Sequence, residues 1–129
     1  MSVDTDTDTG PAVPIAEVVE RTGCTHDTLR YYEKEGLIRP DRDAGGRRRY
    51  TDQHVARVIF LQRMRSSAMP IAVLKEYVAL LEQGQRTEPE RLAIMQRHRQ
   101  AVVAQRARLD EALAIIELKI DVYGGACGA

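Results

Sequence analysis

Apolar residues between Pro14 and Gly84 come in short runs at spacings of three and four, each opened by a capping residue or closed by a glycine. After Thr87 the same spacing continues without a break. Ile15, Val18 and Val19 share one face of a helix that Pro14 opens and Gly23 ends. Thr25 reads as the N-cap of a second short helix over about residues 26–35. Asp27 lies in its first turn, where the helix dipole favours an anion, Leu29 and Tyr32 face inward, and Gly36 is the stop. Two short helices across the turn Thr22-Gly23-Cys24-Thr25 make a helix-turn-helix pattern. Leu37 to Pro40, a turn over 41–46 containing Ala44-Gly45-Gly46, and Arg47 to Tyr50 then predict a two-stranded hairpin, a wing with arginines at its tip.

Thr51-Asp52 caps a predicted helix over 52–66 whose apolar positions are Val55, Ile59, Leu61 and Met64. Pro70 opens another over 70–83, with Ile71, Leu74, Val78 and Leu81 on one stripe and Gly84 at its end. Thr87-Glu88-Pro89-Glu90 has the form of a capping box. Beyond it, Leu92, Met95, Arg99, Val102, Arg106, Leu109, Leu113, Ile116, Ile120 and Tyr123 alternate in steps of three and four. Eight of these ten are apolar or aromatic, which is a coiled-coil seam. At a rise of 1.5 Å per residue the helix runs about 50 Å, too long to bury its stripe on the small remainder of the chain. The stripe therefore asks for a second copy, arranged as an antiparallel pair; the competing arrangement folds it back on its own domain. Leu92, Met95, Val102, Leu109, Leu113, Ile116 and Ile120 are the candidate dimerisation residues.

The expected organisation is an acidic disordered tail over 1–13, a winged helix-turn-helix domain with linker helices over 14–84, a dimerisation helix over 85–123 and a flexible end over 124–129. The fold class is mainly α.

Composition narrows the function. The 129 residues are 29% charged and 43% hydrophobic, a folded composition too short for a dinucleotide-binding enzyme domain with its second half. No stretch of 18 apolar residues predicts a membrane span, and the acidic start lacks the form of an export signal. Cys24 and Cys127 are too few for a disulfide framework, so the expected compartment is a reducing cytoplasm. The net charge is zero, yet residues 1–13 carry −3 and residues 14–66 carry 11 Lys+Arg against 8 Asp+Glu. Arg39, Arg42, Arg47, Arg48 and Arg49, set against Asp41 and Asp43, concentrate that excess around the predicted wing, an electrostatic footprint, with a solvated loop as the alternative. His26, His54 and His98 have no partner at metal-site spacing, and no Cys-x-x-Cys exists, so neither metal nor cofactor is expected. No nucleophile–base pair or glycine-rich phosphate loop marks an enzyme.

A DNA major groove admits one helix, and residues 26–35 are the candidate for it. Its outward N-terminal positions, His26, Asp27 and Arg30, are placed to face base edges; arginine reads guanine through its fork.

The ordered set Ile15 to Val19, Thr22-Gly23-Cys24-Thr25, Thr28-Leu29-Arg30-Tyr31-Tyr32-Glu33, Gly36-Leu37-Ile38, Pro40, Arg42 and Gly46-Arg47-Arg48-Arg49-Tyr50 resembles the DNA-binding domain of the MerR family of transcription regulators. The resemblance runs on through Phe60, Leu61 and Arg65 into the long helix. It implies that Arg30 and Tyr31 contact DNA, that Tyr32 divides between core and surface, and that Arg47, Arg48 and Tyr50 touch phosphates with Arg49 beside them. The candidate DNA-contact set is Thr25, His26, Asp27, Arg30, Tyr31, Tyr32, Arg47, Arg48, Arg49 and Tyr50. The resemblance further implies a homodimer on a pseudo-palindromic promoter, DNA distortion as the switch, and RNA polymerase as a partner. An architectural or excisionase-like accessory protein is the alternative. Cys24 stands where the family has a hydrophobic residue.

The second half, from Leu74-Lys75-Glu76-Tyr77 to Tyr123, is similar to the branch that responds to aldehydes and thiol stress. That branch often carries a cysteine in the helix after the wing. Residues 51–66 have none, with Gln62 and Arg63 in that region, which leaves the signal open. Cys127 is the candidate sensor thiol.

Overall fold

The computed structural model describes residues 11–125. The elements in chain order are β1 (Val13–Pro14), α1 (Ile15–Thr22), α2 (His26–Lys34), β2 (Asp41–Arg42), β3 (Arg48–Tyr50), α3 (Asp52–Ser66), α4 (Ile71–Glu82), a single 3₁₀ turn (Gln85–Thr87) and α5 (Glu88–Tyr123). The architecture is mainly α: a winged helix-turn-helix head followed by one long helix. The chain divides into two compact units between Thr87 and Glu88.

Local chemistry sets each boundary in the head. Thr22 donates its hydroxyl to the Val18 carbonyl and accepts from the Cys24 amide at 3.1 Å. With Gly23 at φ +74°, this turns the chain sharply out of α1. The Thr25 side chain accepts from the Thr28 amide at 3.1 Å and so caps α2. α3 starts with a reciprocal capping box in which Thr51 accepts from the His54 amide and the His54 ring accepts from the Thr51 amide.

The head's core is built by Val18, Leu29, Tyr32, Leu37, Ile38, Tyr50, Val55, Val58, Leu61, Met69, Leu74 and Val78. Each fully buried aliphatic or aromatic side chain contributes roughly 1.5–3 kcal/mol. Polar ties brace the packing. Gln62 donates to the Thr22 carbonyl at 3.1 Å, Lys75 meets Glu35 at 3.0 Å and Arg39 meets Glu82 at 2.9 Å.

Several details depart from the expectation. The sheet has three strands in the order β1-β3-β2, both pairings antiparallel. Val13, assigned to the tail, pairs with Tyr50, and Arg49 donates to the Ala12 carbonyl at 2.7 Å. The predicted strand at 37–40 is not one. Leu37 and Ile38 go into the core, and β2 lies in the stretch read as turn, because two adjacent buried residues cannot alternate across a sheet face. In α3, Val55 and Leu61 are buried as expected, Val58 is buried with them, and Ile59 is exposed. Thr87 donates its hydroxyl toward the Leu80 and Gly84 carbonyls, fastening the 3₁₀ turn to α4.

The second unit is α5, 36 residues and ~54 Å long at the α-helical rise. Among the seam residues Leu92, Leu109, Leu113, Ile116 and Ile120 are exposed, Leu109 at 68%, while Met95 and Val102 are partly buried. Residues 1–10 and 126–129, with Cys127, lie outside the described residues.

Candidate nucleic-acid interface

Leu29 and Tyr32 pin one side of α2 to the core. The opposite side therefore points away, and it carries His26, Asp27, Arg30, Tyr31 and Lys34, all exposed. Their spacing of one and four residues puts them on one face. Lys34 was not among the sequence candidates, although its place four residues after Arg30 signals it. Asp27 and Arg30 form an exposed pair at 3.2 Å, which holds the guanidinium along the helix surface. Tyr31 is 44% exposed, and its ring lies 6.3 Å from that of Tyr32. Thr25 stands at the head of the face with its hydroxyl committed to the cap.

The wing grows from the turn Asp43 to Arg47. The Asp43 carboxylate accepts from the Gly45 amide at 2.9 Å and the Arg47 amide at 3.0 Å, while Gly46 takes φ +82°. The Arg47 amide above all holds the Asp43 carboxyl below its ordinary range. Arg47 itself projects from the tip, 84% exposed, with Asp43 3.6 Å from its Nε.

The three adjacent arginines are not equivalent. Arg48 donates through Nε to Glu33 on α2, and Arg42 reaches the other oxygen of the same carboxylate at 3.0 Å. Glu33 thereby clamps both wing strands to the outward helix, and its hydrogen bond raises the Arg48 guanidinium further above its ordinary pKa. Arg49 turns to the Ala12 carbonyl. Glu33 stands in the motif that carries the resemblance, but its spacing along the chain does not distinguish it from any other helix-surface acid, so its role as the clamp was not assigned from sequence.

Two candidates belong to the interior. Tyr32 is 4% exposed and Tyr50 1%, and burial pushes both phenols up, so they stay neutral. The Tyr50 hydroxyl is sealed from solvent without a hydrogen-bond partner, which removes it from the phosphate-contact set. Cys24 fills a core slot, and burial raises its thiol. Among the described residues no group of three or more His, Cys, Asp or Glu could hold a metal, and no helix is long and apolar enough to cross a membrane.

A helix with an exposed outer face carrying Arg30 and Lys34, and a wing anchored to it, is thus present. The model for the MerR HTH family of regulatory proteins matches residues 13–81. The chain belongs to the MerR family. It is 32% identical over 109 residues to an HTH-type transcriptional regulator of Haemophilus influenzae, covering 84% of this chain and 81% of that one. It is 38% identical over 90 residues to the regulator AdhR of Bacillus subtilis, an alignment covering 69% of this chain and 64% of AdhR. Among solved structures, HiNmlR, a MerR family regulator lacking the sensor domain and bound to promoter DNA, superposes with a TM-score of 0.82. That match is 30% identical and covers 92% of this chain and 94% of HiNmlR. A MerR family regulator from Listeria monocytogenes gives 0.80 at 31% identity, covering 87% and 86%. The MerR-family assignment makes the chain a transcriptional regulator with a DNA-binding helix-turn-helix head.

Proposed function

We propose that this MerR-family chain acts as a homodimer on a pseudo-palindromic promoter site. α2 enters the major groove of each half-site and the wing tip holds the backbone. His26, Asp27, Arg30 and Tyr31 read or approach the bases, Lys34 joins them, and Arg47 carries the phosphate contact at the wing. Thr25, Tyr32, Arg48, Arg49 and Tyr50 support that surface from behind. Residues 14–84 form the DNA-binding part and 85–123 the dimerisation part. The regulator distorts the duplex between half-sites and so governs access of RNA polymerase; bending of this kind costs on the order of 1–6 kcal/mol, supplied by the two heads.

The observation that carries this reading is the outward face of α2 clamped to the wing through Glu33, in a chain whose long helix leaves an apolar seam uncovered. The pairing of two-fold related heads then follows from self-complementary packing of the seam. The test combines sedimentation and DNA binding. The double variant Leu109→Glu with Leu113→Glu alters exposed positions, so each change should cost the chain itself less than about 0.5 kcal/mol. It should yield a folded monomer that loses preference for an inverted repeat over a single half-site. A wild-type chain that stays monomeric, or a dimer that binds random DNA as tightly as any inverted repeat at physiological salt, would defeat the proposal.

A further inference from the structure

The head holds a groove that the DNA-facing surface does not use. It lies between α3 and α4, has a volume of about 450 Å³, and is lined by Gln53, Ala56, Arg57, Phe60, Tyr77 and Leu81. A smaller cavity of about 180 Å³ shares Gln53 and Arg57 with it and extends to Ile38, Arg39, His54 and Glu82. The larger volume falls within the usual range for small-molecule sites, about 300–1,000 Å³.

Arg57 is the unusual group there. It is partly buried, and burial lowers its guanidinium pKa. One of its N–H groups donates to the Leu37 carbonyl at 3.2 Å. Among the described residues no carboxylate lies within ion-pair distance of it. Glu82, the acid whose field it feels, is held by Arg39 at 2.9 Å. Glu82 thus acts on Arg57 only from across the smaller cavity and shares its charge with Arg39, so Arg57 is a partly dry cation with no direct ion pair, and a ligand carboxylate on its other side would supply one. Beside it the Phe60 and Tyr77 rings sit with centroids 5.2 Å apart and planes tilted by 30°, an aromatic pair that lines the groove.

We propose that this groove binds a small aromatic carboxylate, its ring against Phe60 and Tyr77 and its carboxylate on the free edge of Arg57. The planar fork of arginine matches a carboxylate in two parallel hydrogen bonds, and a single cation suits a monoanion. Leu37 follows Gly36, the stop of α2, and begins the connection to the wing. Occupancy at Arg57 therefore bears on the link between reading helix and wing. The binding itself stands without the proposed DNA function; only this regulatory consequence rests on it.

The experiment titrates the full chain, without DNA, by calorimetry with 1-naphthoate and with the neutral 1-naphthamide. One naphthoate should bind per chain, with the amide at least 10-fold weaker. Arg57→Gln should lower naphthoate affinity at least 10-fold, and Arg57→Lys should restore part of it. Because Arg57 also braces Leu37, a second readout is needed should Arg57→Gln fail to fold. Phe60 is the chain's single phenylalanine, so nuclear Overhauser contacts from bound naphthoate to its ring locate the ligand in the unaltered protein. Equal affinity for acid and amide, undiminished binding by Arg57→Gln, no saturation by millimolar probe, or no contact to Phe60 overturns the site. Binding that leaves the affinity for an inverted-repeat DNA unchanged overturns the coupling alone.

Discussion

Replacing Glu33 with glutamine tests how the wing is held. The carboxylate takes Arg48 on one oxygen and Arg42 on the other. A hydrogen bond to a charged group contributes roughly 1.5–3 kcal/mol when well shielded. The Arg48–Glu33 pair is 31% and 23% exposed, so part of that value survives; Arg42 is 46% exposed, and its share falls to a few tenths of a kcal/mol by solvent screening. Glutamine keeps the shape and one acceptor oxygen but drops the charge. The expected loss for Glu33→Gln is therefore about 1 kcal/mol by denaturant unfolding. A double-mutant cycle with Arg48→Met should return a coupling energy of about 1 kcal/mol, shrinking in 1 M salt, where the screening length is about 3 Å. Backbone amides of Arg48 and Arg49, paired in the sheet, should exchange roughly 5-fold faster in the variant. A coupling below about 0.3 kcal/mol, or one indifferent to salt, would refute the clamp.

Arg47→Ala should weaken binding to all DNA sequences alike and flatten the salt dependence by about 0.9 per head, or roughly 1.8 per dimer, with unfolding unchanged, whereas Arg48→Ala should lower stability as well. Fluorescence anisotropy across a salt series alongside denaturation separates the two; identical behaviour would sink the distinction. The Asp43 carboxyl, depressed by the Arg47 and Gly45 amides, should contribute wing order fully above the ordinary carboxylate pKa of about 4 and lose it as pH falls through its lower folded value. Amide chemical shifts of Gly45 and Arg47 followed during acidification should report that step, and Asp43→Ala should abolish it. Ala68 closes α3 at φ +74°, a conformation costing an L-residue about 1–2 kcal/mol, so Ala68→Gly should stabilise by about 0.5–1 kcal/mol after its added unfolded-chain freedom. An unmoved or lowered denaturant midpoint contradicts this.

What was readable in the sequence is what depends on near neighbours. Thr25 and Thr51 announce helix starts because a hydroxyl meets an amide three residues on, and α3 and α4 fall within a residue or so of their predicted limits. The length of α5 was legible because no residue between Glu90 and Tyr123 breaks a helix. The rest hangs on distant contacts. Val13–Pro14 is too short to carry a pattern and becomes a strand only through Tyr50 and Arg49. Leu37 and Ile38 look like a strand until the core claims both. Arg47, Arg48 and Arg49 are indistinguishable as letters; a carboxylate 15 residues upstream and a carbonyl 37 residues upstream give them separate fates. Arg57 carried no signal at all, since its lack of a counter-ion is a property of the packed head.

The short strand β3 spends each of its residues on a different layer: Arg48 on α2, Arg49 on the Ala12 carbonyl just before β1, Tyr50 on the interior. Sliding it by one place would exchange all three assignments at once, so its letters are locked together as a knuckle is. Changes that alter the tip without dismantling the hand are then confined to its exposed positions Ala44 and Arg47, since Asp43 and Gly46 hold the turn. Engineers seeking a stronger or weaker variant have the same narrow stretch to work with.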